Sequence, residues 1–592
     1  MIARISVNDR PIATLRSPAG GLSPVQRALS VKSRLAVLAD AGLTPTEIGI
    51  APAGGRAWEI RARGLPLLLV TPRDAASEHQ TAKTLACVWA RALKSRLADV
   101  PLTLSVRQVV IPVGETQYVS VNGAARAGDV SLTGQDSRVS PAVFDARSRR
   151  IVLRGVGPGQ TRLSVTANGF SLPLTVTVAR FAAQVQPAMT VRVTGDPSAP
   201  AALVREALYF GLKRALTAEE GAQVRLLRAP GAAQPLRPGA SLAFRLPLRV
   251  AGVGLLPVES APLITIVNRP LPPASAAALF YSNNPEQVRR GQSLFTGGLS
   301  SSAPVRLDYH HQNRTGEPLI FHVDALNTSG HPLSLQLIAG VADPEGDTVQ
   351  IGRRAGAAFL DSLDHGTGLV LDVPPHSRLP LVVQRFGPNL TVSGILQVRQ
   401  LSGPRGAASL QVLADEDQGV LAASPTHFAL AVAQTDSPQQ VAAPAAFRSS
   451  GTGGTASPFV FGPPLVALSG AYAVGGKWEH LPLGTDESLH NADHSQRLWG
   501  NYGVSYYVTL ALSNPTRASR IVGLYFAPEA GLAAGVFQIH GSPVLQFDPL
   551  SPPYEKELTR VRLAPGESRV VRLRTILLNG SAYPASLTVH AL

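Results

Sequence analysis

Between Leu102 and Val178, apolar and polar residues alternate in short runs broken by Gly and Pro. A period of two marks half-buried strands. Leu102-Thr103-Leu104-Ser105-Val106, Val109 to Val113, Tyr118-Val119-Ser120-Val121, Ile151-Val152-Leu153, Arg162 to Ala167 and Leu172 to Val178 therefore predict a small β-module over residues 101–180. Residues 1–100 mix two periods in the order β, α, β, β, α. Ser23 then Pro24 is a helix N-cap with proline at the first helical position, followed by an apolar face of Leu29, Leu35 and Leu38 up to Gly42. Asp74 is the expected cap of a second helix, on which Leu85, Val88, Trp89 and Leu93 recur at helical spacing. A second α+β module is expected over 186–270, with a helix through Val204, Leu208, Leu212 and Leu216.

The remaining chain repeats itself. Phe321 to Ser329 and Val508 to Thr516 are long strands ending in Asn and small polar residues. About fifty residues after each comes a proline turn with Ser-Arg before another strand, at Pro374 to Val382 and Pro565 to Leu573. Closing strands follow at Gly394 to Leu401 and Ala585 to Leu592. Such a layout predicts two β-sandwiches of one type, over 275–435 and 459–592, resembling Ig-like and fibronectin-like modules. Residues 436–458, rich in Pro, Ala, Gly and Ser, read as a linker that lets the last sandwich reorient. The fold class expected is thus multidomain and mainly β, a string of β-sandwich domains with two small α+β modules.

The opening Ile111-Pro112-Val113-Gly114-Glu115-Thr116 and the later Gly155-Val156-Gly157-Pro158-Gly159-Gln160-Thr161-Arg162-Leu163-Ser164-Val165 resemble the N-terminal β-domain of pilus-formation and secretin-associated proteins. The resemblance covers residues 101–178 and implies the cell envelope; it transfers no catalytic or ligand residue.

With 592 residues the chain exceeds a single core. Its formal charge of +15 suits nucleic acid, an anionic surface or an acidic polymer. The basic residues are scattered as singles and pairs, such as Arg149-Arg150 and Arg353-Arg354, instead of forming a stripe interleaved with aromatics, which argues against nucleic acid. Cys87 is the only cysteine, so no intramolecular disulfide forms. No stretch approaches the roughly eighteen unbroken apolar residues of a membrane span. Met1 to Val7 enters a strand directly, and the envelope-type modules favour an export signal removed from, or missing upstream of, this start.

Two clusters hold candidate chemistry. In the first, Tyr309, His310, His311 and Asn313 form a candidate ligand strip. Adjacent strand residues point to opposite faces, so His310 and His311 do not share one ion without a bulge. Sheet packing and a contact with a neighbouring domain are the competing readings. In the second, His480, His490, Asp493 and His494 are candidate metal ligands, with Asp486 and Glu487 close by and Trp478 and Trp499 as candidate ligand contacts. One helical turn would bring His490 and His494 together, but Asn491 stands where a zinc protease has glutamate. A long polar loop is the alternative. Asp343 to Asp347 and Asp361 to His365 are acidic turns without calcium-loop spacing.

No nucleophile elbow or paired catalytic carboxylates appear. The expectation is a non-enzymatic envelope or cell-surface scaffold or adhesion protein, in the periplasm, outer envelope or cell surface and associated with a pilus- or secretion-type assembly. It needs no cofactor. Its partners would be other envelope proteins, its own copies through strand edges, or an acidic polymer or glycan. The alternatives are a carbohydrate- or cell-wall-binding protein, and a metal-dependent enzyme built on residues 479–494.

Overall fold

The structure, a computed structural model, describes residues 2–7, 10–41, 43–98, 102–122, 130–167, 170–299, 303–416, 440–442, 457–485 and 488–592. With 51% strand and 14% helix spread over several sheets, the chain is a mainly β, multidomain string of sandwiches. It divides into two compact units, residues 1–181 with 254–256 and residues 182–253 with 257–592.

In the first unit, the hairpin Ala3–Val7 and Arg10–Leu15 precedes a helix at Pro24–Asp40, and the antiparallel strands Ile48–Pro52, Trp58–Ala62 and Leu65–Val70 precede a helix at Ala82–Ala98. Ser23 and Gln26 form a reciprocal capping box at the first helix. Its buried face differs from the expected one, because Leu29 is 60% exposed whereas Val31 and Leu35 are buried. Arg27 takes a place in that face through a bidentate bond to buried Asp74, at 3.1 and 2.8 Å. Asp74 is consequently not the expected cap. Thr71 caps the short helix Pro72–Ala76, and Asp74 answers it from the third helical position. Val88, expected on the apolar side of the later helix, is 44% exposed beside buried Leu85, Trp89 and Leu93.

Residues 102–179 form two four-stranded sheets around Ile111, Val119, Ile151, Leu153, Leu163, Val165, Leu174 and Val176. The glycines of the motif allow close backbone passage. A Cβ on Gly155 would lie 2.4 Å from the Pro112 carbonyl oxygen, and one on Gly157 2.7 Å from that of Arg138.

In the second unit, one ten-stranded sheet runs from Ser241–Arg245, Leu263–Asn268 and Ala188–Thr194 through Gly368–Val373 into Leu333–Glu345, Thr391–Ser402, Val305–Asn313 and Ala278–Ser282. Helix Ala201–Ala215 buries Val204, Leu208 and Leu212, as its spacing predicts. Across the first sandwich lies a second sheet of Gln292–Gly298, Ala408–Glu416, Leu319–Asn327 and Ser377–Phe386. Within the expected linker, Gln440–Ala442 is a strand paired with Gln223–Leu226; residues 436–439 and 443–456 lie outside the described residues. Val460–Phe461 pairs back onto Ala278–Ser282 of the first sandwich.

The repeat is carried by matching strands. Leu319–Asn327 pairs antiparallel with Ser377–Phe386, and Ser505–Ser513 with Ser568–Ile576. At each first strand's end one asparagine sews the corner. Asn327 Nδ2 donates to the carbonyls of His331, Val373 and Pro374, while its Oδ1 accepts from the Ser329 N–H and hydroxyl. Asn514 does the same to Ala518, Leu563 and Ala564, accepting from Thr516.

One element departs from the sequence reading. Residues Thr348–Asp364 are a helix inserted between Leu333–Glu345 and Gly368–Val373; it takes in Asp361 to Asp364 of the second expected acidic turn, while Asp343 to Glu345 of the first end the preceding strand. Asp347 is its N-cap, accepting from the Val349 and Gln350 N–H groups at 3.0 Å each. The helix packs Phe359 and Leu360 with Ile338 and Ile395 of the first sandwich and with Ala534, Val536, Ile576 and Leu578 of the second.

Candidate functional site

Strand Val305–Asn313 holds the densest chemistry and is buried along nearly its whole length, because sheet and helix cover both its faces. On the face toward the second sheet, the Tyr309 ring packs 4.7 Å from Phe321. It lies over Gly394, where a Cβ would come within 2.3 Å of its hydroxyl. His311 Nδ1 is 2.9 Å from the Pro285 carbonyl and Nε2 is 2.9 Å from Ser282 Oγ. Since a carbonyl only accepts, Nδ1 carries the proton and Nε2 accepts from the serine. Burial pushes this imidazole down to about 4, so it stays neutral. The Ser282–His311 pair resembles half of a nucleophilic site, but both side chains are fully inside.

Asn313 is a third copy of the corner asparagine. Its Nδ2 donates to the Glu317 and Phe386 carbonyls and its Oδ1 accepts from the Thr315 N–H and hydroxyl. Tyr309, His310, His311 and Asn313 are thus brought together on one strand, but none is at the surface where a ligand strip would have to be. The expectation of such a strip is corrected on this ground: the residues are consumed by packing.

The opposite face of the same strand forms a polar seam with the second sandwich. Arg306 Nη1 donates to the Pro464 carbonyl (3.2 Å), the Gly503 carbonyl (2.8 Å) and Ser505 Oγ (2.9 Å), with its guanidinium 5.1 Å from the Phe359 ring centre. Asp308 Oδ1 accepts from Asn579 Nδ2 at 2.6 Å. Burial raises its carboxyl to about 7, against the lowering effect of that bond and of Arg306. His310 is next in the row, buried, with neither ring nitrogen bonded; burial, then His311, lowers it to about 3. The seam and the helix join the sandwiches over a buried surface, so the expected reorientation of the last sandwich is corrected as well. Sequence reasoning missed this role of Arg306 and Asp308. The available signal was two opposite charges, Arg306 and Asp308, two positions apart on one face of the strand.

In the second cluster, His490 to Arg497 is a tight bridged loop and not a helical turn. It brings the His490 and His494 rings to 5.3 Å. The Asp493 carboxylate accepts from the Ser495 hydroxyl and N–H, which hold it below the ordinary range. Asn491 organises the loop through Ser495, Gln496 and the Pro458 carbonyl. His480 stands apart, on Glu479–Leu483, with Trp478 as its ring neighbour at 6.5 Å. Asp486 and Glu487 lie outside the described residues. Among the described residues, no three His, Cys, Asp or Glu side chains converge to hold a metal ion.

Trp478 and Trp499 are 56% and 67% exposed. Trp478, just before strand Glu479–Leu483, stacks on buried His590 at 4.0 Å, and His590 on buried Tyr525 at 4.7 Å. Trp499 lies under the Arg497 guanidinium, 4.0 Å from its ring centre. Its neighbour Gly500 approaches Gly484, at the other end of strand Glu479–Leu483 from Trp478. The two tryptophans therefore mark separate places. No helix among the described residues is long and apolar enough to cross a membrane.

The family model "Domain of unknown function (DUF8459)" matches residues 4–99, the N-terminal α+β module. No curated protein matches the chain. Among solved structures, domains 5–6 of the S-layer protein SbsC align over 28% of this chain and 96% of theirs, at 10% identity and a TM-score of 0.13. Fibronectin(III)-like modules of Clostridium thermocellum CbhA align over 28% and 94%, at 12% identity and 0.15. Human mucin-like protocadherin EC1-2 aligns over 29% and 98%, at 12% identity and 0.12. Superpositions this poor carry no argument about this chain.

Proposed function

We propose that the chain is a non-enzymatic scaffold or adhesion protein of the bacterial envelope or cell surface. One observation carries the reading: its richest chemistry, Arg306 to Asn313, is committed to internal bonds that weld two sandwiches and a helix into one body. Such welding suits a load-bearing spacer. The finer assignment, to a pilus- or secretion-type assembly, rests on the motif in residues 101–178. Fractionation of cells carrying the natural gene, with sequencing of the mature N-terminus, tests the localisation. The expected result is protein in the envelope or surface fraction; an exclusively cytosolic pool defeats it. Deletion of the gene should disturb pili or secretion, and intact assemblies would remove that finer assignment.

The exposed Trp478 ring, backed by the buried stack of His590 and Tyr525, favours a second reading, attachment to glycan or cell wall. Aromatic faces of this kind hold sugar rings by stacking. Trp478→Ala should lose retention on a cell-wall matrix, and Trp499→Ala tests the other place independently. Unchanged retention in both rejects the reading.

A further inference from the structure

The last sandwich has four sheet edges, and the sequence guards three of them. Glu479–Leu483 carries Glu479 and Pro482, Leu545–Leu550 carries Asp548 and Pro549, and Lys556–Leu563 carries Lys556, Glu557, Arg560 and Arg562. Charge and proline on an edge deter pairing with another chain. The fourth edge, Leu465–Ala473, runs for nine residues with neither.

The groups this edge offers follow from its ladder. The strand pairs with Ser505–Ser513 alone, in parallel. The Ser505 N–H donates to the Pro464 carbonyl at 3.1 Å, and the Val474 N–H to the Ser513 carbonyl at 2.9 Å. Even-numbered residues therefore bond that neighbour along the ladder, and the odd-numbered ones turn their N–H and C=O to the open side. Local bonds occupy the Leu465 N–H, which donates to the Pro463 carbonyl, and the Ala473 carbonyl, which accepts from Gly476. Both groups of Ala467, Ser469 and Ala471 are left facing outward. Val466 and Leu468, packed against the core, are only half-buried because no strand lies beyond them.

We propose that this edge pairs antiparallel with the same edge of a second copy, about a two-fold axis at Ser469. Odd residues must face odd ones, since only those have groups to exchange. The axis does this: Ser469 faces the second copy's Ser469 and Ala467 faces its Ala471, for about six hydrogen bonds. Those facing side chains are all Ala or Ser, so neither bulk nor charge opposes the approach. On the inner face Val466 meets Tyr472, and Leu468 meets Gly470 with the aliphatic stem of Glu479 lying over it. The other three edges would bring an unpaired charge or a proline against this strand, so within this sandwich its match is itself. A two-fold pairing also closes the assembly at a dimer. Nine residues a side fall short of the roughly 20–30 of a standard interface, so the dimer is weak. The scaffold reading does not depend on it and survives its failure.

Sedimentation equilibrium on the full chain tests the pairing. A monomer–dimer equilibrium with a Kd of about 1–100 µM is expected. Ser469→Pro removes an N–H that the fold does not use and should weaken the dimer at least about tenfold. Ser469→Lys keeps the backbone but sets two ammonium groups across the axis, and should weaken it at least about threefold. Thr509→Lys, exposed on the same face but one strand inward, should leave the Kd within about threefold. A chain that stays monomeric up to about 300 µM overturns the proposal. So does a dimer that both Ser469 variants leave intact, or one that Thr509→Lys weakens as much as they do, because the sheets would then be packing face to face.

Discussion

Gly352 and Gly356 sit one turn apart on the helix Thr348–Asp364 and face the loop Leu577 to Gly580 of the second sandwich. An isolated helix would gain about 1 kcal/mol from either Gly→Ala change. At Gly352, however, the new Cβ would lie 2.1 Å from the Asn579 carbonyl oxygen. That is about 1 Å inside ordinary contact, and the obstacle is backbone. The loop cannot simply retreat, because Asn579 is held by Asp308 at 2.6 Å and Gly580 is pressed against the Thr348 carbonyl. Overpacking costs about 1–3 kcal/mol, and loosening the buried Asn579–Asp308 bond about 1–3 more. Gly352→Ala should therefore destabilise the seam by about 1–5 kcal/mol after the helical gain. At Gly356 the Cβ meets the Leu578 Cδ2 methyl at 2.2 Å, the end of a side chain that can rotate away. That substitution should fall within about 1 kcal/mol of neutral. Native-state hydrogen exchange of peptides spanning 348–364 and 577–581 reads the seam's opening free energy separately from the rest of the chain. Slower exchange in Gly352→Ala, or equal behaviour of the two variants, would refute the argument.

Other consequences are testable on the full chain. Asp308, raised to about 7, holds its proton more tightly when folded, so its contribution to stability is present at low pH and is lost as pH rises from about 4 to about 7. Asp308→Asn should remove that slope, about 1.4 kcal/mol per pH unit with a ceiling near about 4 kcal/mol, in urea melts across the range. His310, lowered to about 3, acts oppositely: it folds neutral, and stability is lost as pH falls below its ordinary value. His310→Leu should therefore stabilise by about 2 kcal/mol more at pH 5 than at pH 8, and a pH-independent effect in calorimetry would contradict this. Asn514→Ala breaks five bonds at a buried corner and should cost about 2–4 kcal/mol by chemical denaturation, whereas a loss below about 0.5 kcal/mol would show the corner to be ornamental.

What the amino-acid order determined by itself is what neighbours along the chain decide. The Ser23 N-cap, the alternation from Leu102 to Val178 and the local half of the repeated corner, Asn327 with Ser329 and Asn514 with Thr516, each depend on residues a few positions apart or on a period of two, and all are visible in the structure. The helix Thr348–Asp364 escaped because Gly352 and Gly356, needed for close approach to another sandwich, weaken the helical signal; its cap, Asp347, looked like part of a turn. The candidate site was legible as a cluster but not as a seam. An isolated strand has two faces, and whether water or another module covers each is settled by partners such as Pro464, Gly503 and Asn579, between 158 and 271 residues away along the chain. Only the tertiary structure could bury Tyr309 to Asn313, separate Trp478 from Trp499, and leave Arg306 inside the protein without a bonded counter-charge. Burial and charge pairing depend on what packs against a residue, and local spacing along the chain does not encode that.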